Sequence, residues 1–150
     1  MMVTKRDRSK HNELIKHGVT WVGKSFPYYL VEPRTNCTEN PDIIAFMPCG
    51  TSVMIEVIAS RQAFHNDKRK KFRVNPFEGM GHYRYYLCDE GVIEEGDIPD
   101  TWGLLHFSRG RVVMVRWSKG HSRSEFAYNA ELSLLAKFID EKCTIRATIE

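Results

Sequence analysis

Residues 41–73, PDIIAFMPCGTSVMIEVIASRQAFHNDKRKKFR, constrain the fold of this chain more than any other stretch. Two short apolar runs lie within it, and each carries one acid. Asp42 opens the run Ile43-Ile44-Ala45-Phe46, and Glu56 separates Val53-Met54-Ile55 from Val57-Ile58. Pro48-Cys49-Gly50 between them is a turn signal. Two β-rich runs joined by a short Gly-containing turn predict a hairpin. An acid inside a strand is costly unless it is paired, hydrogen-bonded or bound to a cation. Two such acids on paired strands can hold one divalent metal ion between them. Strand acids also occur simply as solvent-facing residues of a half-buried strand, and the spacing leaves both readings open.

The residues that follow change character. Arg61, Lys68, Lys70, Lys71 and Arg73 make a dense cationic segment, of the kind that neutralises nucleic-acid backbone phosphates. Oxygen ligands suit hard ions such as Mg²⁺ or Mn²⁺. Metal-seeking acids followed at once by a basic run point to phosphodiester chemistry on DNA, with the metal polarising the phosphate and activating water. A basic run is equally what an ordinary solvated face looks like.

These residues resemble the restriction-endonuclease-like superfamily, whose signature is PD…(D/E)-x-K, and within it a bacterial and phage branch linked to DNA repair, the MmcB-like proteins. The resemblance rests on Pro41-Asp42, Phe46, Glu56-Val57, Ser60-Arg61, Phe64, Asp67, Lys70 or Lys71, and Arg73. It continues through residues 79–88 and 98–105, and covers about residues 13–115. It implies a mixed β-sheet flanked by helices, an α/β fold. It also implies a divalent metal held by Asp42 and Glu56, with help from Glu32 and the carbonyl of Val57. An acid on the first helix, here Glu13, belongs to the same pattern; Glu13 equally suits the positive end of a helix.

Two positions depart from the pattern. The signature lysine, two residues after Glu56, is Ile58, and the acid expected before Phe64 is Ala63. Residues two apart on a strand share a face, so Ile58 is expected to point the same way as Glu56. An apolar side chain there implies weak or absent nuclease activity, which Ile58→Lys would raise. The alternative is a relocated lysine from residues 68–71, with Lys70 as the catalytic candidate. A second function reading is a catalytically inactive module on the same fold that binds nucleic acid or protein. A third uses Cys49 or Cys88 with His65, His82 or His106 as a thiol enzyme, though nothing local marks either cysteine as activated.

Elsewhere the signals are local. Residues 1–10 read as a charged, frayed tail. His11-Asn12 is a candidate cap for a short helix running from Glu13 toward Gly18. Strands are expected over residues 26–32, 83–88, 102–107 and 111–117, the last two joined by the Arg109-Gly110 turn. A helix is expected over residues 62–72 and another over 125–142, capped by Ser124, with Leu132, Leu135, Ala136 and Ile139 as its apolar stripe.

The 150 residues suit one domain with a real core, and 42% hydrophobic and 27% charged residues are ordinary for a soluble protein. A net charge of +3 permits nucleic-acid binding without demanding it. Cys37, Cys49, Cys88 and Cys143 are dispersed and form no CxxC pair, which argues against structural zinc and fits free thiols in a reducing cytoplasm. No signal peptide or membrane span is expected. Self-association into a homo-oligomer is left open.

Overall fold

The computed structural model describes residues 4–35 and 39–142, with side chains through residue 138. Its centre is a six-stranded mixed sheet in the order β1-β2-β3-β4-β5-β6. The strands are β1 (Tyr28–Val31), β2 (Ile43–Phe46), β3 (Ser52–Ile58), β4 (Tyr83–Asp89), β5 (Gly103–Ser108) and β6 (Arg111–Arg116). β1, β2 and β3 form an antiparallel meander, β3, β4 and β5 run parallel, and β6 returns antiparallel. The helices are α1 (Lys5–Gly23), α2 (Arg61–Lys68), α3 (Lys71–Val74) and α4 (Glu125–Lys142). The chain is therefore α/β.

The hairpin expected around residues 47–51 forms. Met47 donates its N–H to the Thr51 carbonyl at 2.9 Å, and Gly50 takes a φ of +91°, which glycine adopts without strain. Every residue of β3 is buried, as parallel pairing with helices on both faces requires. Its side chains divide by parity. Val53, Ile55 and Val57 pack with Leu14, Ile15 and Val22 of α1. Met54 and Ile58 pack on the opposite face with Phe64 of α2 and with Ala130 and Leu134 of α4. The parallel step from β3 to β4 needs a crossover, and α2, α3 and a short 3₁₀ turn supply it.

Five local expectations are corrected. Residues 5–10 are not a frayed tail but the first turns of α1, where Thr4, not His11 or Asn12, caps the helix by accepting the Asp7 N–H at 3.0 Å. Gly18 does not end this helix. A Cβ there would lie 2.7 Å from Ile43 Cδ1, so glycine is what lets α1 lie close on the sheet, and the helix runs on to Gly23. Helical charge in the first turns hid a segment that is held by burial of the later turns.

The single helix expected over residues 62–72 is broken at Lys70, whose φ of −60° and ψ of 144° are extended. On α4 the buried residues are Ala127, Ala130, Glu131 and Leu134, while Leu132 is 63% exposed. The buried face is offset by about one position from the apolar pattern, and Glu131 on it pairs with Arg123 at 2.6 Å. Ser124 does cap it, accepting the Ala127 N–H at 3.1 Å. Ile139, also assigned to that stripe, lies outside the described side chains, as do Cys37 and Cys143.

Candidate metal and phosphodiester site

Asp42 stands just before β2, and the register Ile43↔Ile55 places it opposite Glu56 on β3. The two acids thus sit across from each other on neighbouring strands. Asp42 Oδ2 accepts the Val57 N–H at 2.9 Å, just before β2 begins. Glu32 follows β1 and donates its N–H to the Asp42 carbonyl at 2.8 Å. It holds a left-handed φ of +47°, uncommon for a residue other than glycine.

His11 reaches this edge from α1. Its Nε2 lies 2.9 Å from Glu32 Oε1 and 3.7 Å from Asp42 Oδ1. One ligand atom from each of His11, Glu32 and Asp42 lies within 4.8 Å of the others. Carboxylate oxygens with one imidazole nitrogen are a donor set suited to Mn²⁺ and, less well, Mg²⁺. The sequence reasoning missed His11. The signal was present, since 11, 14, 15, 18 and 22 recur at helical spacing and Leu14, Ile15, Gly18 and Val22 are buried. His11 is the polar residue at the start of the sheet-facing stripe. Glu13, the candidate acid on this helix, pairs instead with Lys10 at 2.8 Å.

Glu56, opposite Asp42, meets cations. Lys70 Nζ is 3.5 Å from Glu56 Oε2 and 3.0 Å from Asp67 Oδ1. Arg73, with a side chain only 5% exposed, lies 3.7 Å from Glu56 Oε1 and 3.8 Å from Glu39 Oε2. Its Nε donates to Asp67 Oδ2 at 2.9 Å. The Tyr86 hydroxyl donates to the same carboxylate at 2.6 Å. Arg73 also lies over the Trp102 ring at 4.8 Å. Glu39 accepts the Met80 N–H at 3.2 Å.

The electrostatics follow from burial. Burial raises both Asp42 and Glu56 above the usual carboxyl range, and for Glu56 the neighbouring Asp42 raises it further. The Val57 N–H and Lys70 pull Asp42 back, and Arg73 and Lys70 pull Glu56 back. Burial lifts Glu39 to about 7 against the opposing charge of Arg73. Burial acts the same way on Asp67, but Arg73 and Lys70 outweigh it and hold that carboxyl low. Burial disfavours charge on Lys70, yet Glu56 and Asp67 outweigh it and raise the amine. The cluster therefore joins four buried or half-buried acids to two cations.

Not every predicted contact residue faces the site. Arg61 is held away from it in a two-pronged pair with Asp97 at 2.7 and 2.9 Å. Lys68 lies over the Phe64 ring at 4.6 Å. Arg73 is enclosed by acids, so it is an internal counter-charge and not a surface cation; its place in the basic run did not reveal its direction. Lys71 is exposed and lines a cleft of about 330 Å³ with Lys70, Glu56 and Asn40. Ile58 does share the Glu56 face, as parity requires, but it is 3% exposed and packed among Phe64, Cys88 and Ile93. Cys88 is fully buried, its thiol pushed up to about 12 by burial, and the ring of His106 bonds the Ile93 carbonyl at 2.7 Å. That removes Cys88 and His106 as a catalytic couple.

No protein-family model and no curated protein matches the chain. Among solved structures it is similar to a protein of unknown function from Silicibacter pomeroyi, with a TM-score of 0.66 and 14% identity, over 94% of this chain and 97% of that one. At that identity the likeness concerns the fold alone. Among the described residues no helix is long and apolar enough to cross a membrane.

Proposed function

We propose that the chain is a metal-dependent phosphodiesterase of restriction-endonuclease-like type acting on DNA. The observation that carries this reading is the meeting of Asp42 and Glu56 across β2 and β3, with His11 and Glu32 on one side and Lys70 on the other. Asp42, Glu56, Glu32 and the Val57 carbonyl would hold Mg²⁺ or Mn²⁺, with His11 as a further ligand. When bound, such an ion lowers the pKa of a coordinated water and offsets charge on the scissile phosphate. The chain's own residues supply the rest. The Val57 N–H fixes the Asp42 carboxylate. Asp67 and Glu56 hold the Lys70 ammonium beside the acids, where the signature lysine's task of positioning water and stabilising charge would fall to it. Lys71, exposed on the cleft beside Lys70 and Glu56, would meet a backbone phosphate.

A second reading is supported by a different observation. Glu56 is answered by Lys70 and Arg73 without any ion, and Ile58 is sealed in the core. A binding module that has lost catalysis would look the same. Cleavage of single- and double-stranded DNA in Mn²⁺, with Asp42→Ala as control, separates them. Cleavage lost in the variant supports the enzyme, and DNA binding without cleavage at any Mn²⁺ concentration supports the module.

A further inference from the structure

Between α1 and α2, against the end of β3, lies a cleft of about 530 Å³. Asp7, Arg8, His11 and Asn12 line it from α1, and Gln62, Ala63 and Asn66 from α2. Its floor is Val57 and Ala59, and Glu32 stands at its edge. His11 and Glu32 thus belong both to this cleft and to the group with Asp42. A phosphate held at that group would bring its neighbouring nucleoside to the mouth of the cleft.

The lining decides what fits. A volume of this size lies within the range of roughly 300–1,000 Å³ usual for small-ligand clefts, and no duplex can enter it. Two alanines provide the room. Ala63 stands where the resembled family carries an acid, and Ala59 precedes the Ser60 cap of α2. An acid at position 63 would repel a nucleotide; a methyl group leaves space and no charge. The charges present are one cation, Arg8, and two acids, Asp7 and Glu32. That balance does not suit a double row of phosphates, which selects a net excess of Lys and Arg. Asn12, Gln62 and Asn66 bring amides instead, able to donate to and accept from the edge of an unpaired base. Gln62 Nε2 already donates to Asn66 Oδ1 at 3.3 Å, which orients both.

Resting on the nuclease reading for the phosphate end, we propose that this cleft receives one unpaired nucleotide of a single DNA strand, so that the chain acts on single-stranded or frayed DNA. Fluorescence anisotropy with a labelled oligothymidylate and a blunt hairpin duplex tests it, with Ca²⁺ in place of Mn²⁺ so that cleavage does not intervene. The single strand should bind more tightly than the duplex. Ala63→Leu, which fills the cleft with a good helix former, and Gln62→Ala, an exposed position, should each weaken single-strand binding, the first by roughly tenfold, the scale of losing one base contact. Thermal melting shows that each variant is folded. Equal affinity for the duplex, no binding of either DNA, or folded variants that bind the single strand like the unaltered chain would each overturn the proposal. Cleft-dependent binding with no cleavage in Mn²⁺ would overturn the nuclease reading and leave single-strand binding in the cleft standing.

Discussion

Lys70 stands 3.5 Å from Glu56 although the two are fourteen positions apart and the signature lysine position is Ile58. The break between α2 and α3 makes this contact. An unbroken helix would carry Lys70 onward with its neighbours, whereas the extended backbone at Lys70 lets its side chain turn back over β3.

The catalytic expectation follows from that contact. Lys70→Ala should lower Mn²⁺-dependent cleavage by on the order of a hundred- to a thousandfold, the usual effect of removing one preorganised electrostatic group. Ile58→Lys should add little to the rate and should lower the melting temperature, because it places an ammonium among Phe64, Cys88 and Ile93. Cleavage kinetics and melting curves of the two variants check this. A strong gain of activity in Ile58→Lys would show that Lys70 is not a substitute.

Asp42→Asn should stabilise the metal-free protein at alkaline pH while abolishing its response to metal. Burial and the facing carboxyls make the doubly ionised pair unfavourable, and asparagine keeps an acceptor for the Val57 N–H. Melting with and without Mn²⁺ reads both effects. The unaltered protein should gain stability with Mn²⁺ by ligand linkage, and the variant should not.

Arg73→Ala should act on folding, not on DNA affinity. Its side chain is enclosed by Glu39, Glu56 and Asp67, and stranding buried acids typically costs about 3–5 kcal/mol. Lys71→Ala, by contrast, should leave stability alone. If the exposed Lys71 contacts a phosphate, the slope of log affinity against log salt shrinks by roughly 0.7–0.9. Denaturant unfolding and salt titration of both variants distinguish the two roles.

Glu39 sets a pH dependence. Its carboxyl is raised from the ordinary 4.5 to about 7 by burial, against the pull of Arg73. The folded state therefore binds this proton more tightly than the unfolded chain. That contribution to stability is fully present below about 4.5 and is lost as pH rises through about 7. Glu39→Gln should flatten the fall in melting temperature across this window. An unchanged pH profile in the variant would assign the dependence to other acids.

The sequence alone determined the elements whose signals are local. The Asp42 run, the Gly50 turn and the Glu56 run read as a hairpin because β-rich residues and a glycine turn act within a few positions. The aromatic run through Tyr85 and Tyr86 read as core strand, and the Arg109-Gly110 turn as a hairpin, for the same reason. Strand parity put Ile58 on the face of Glu56. Tertiary structure decided where charged side chains point. Lys68, Lys70, Lys71 and Arg73 form one basic run in the chain, yet they end respectively on an aromatic ring, between two acids, in solvent and inside the fold. A run of like charges holds no periodic apolar signal from which direction can be read. The first turns of α1 look like a tail because their residues are polar; they are helical because Leu14, Ile15, Gly18 and Val22 bury the later turns against the sheet. That packing carries His11 to Glu32 and Asp42, a meeting across more than twenty residues that only the folded sheet edge brings about.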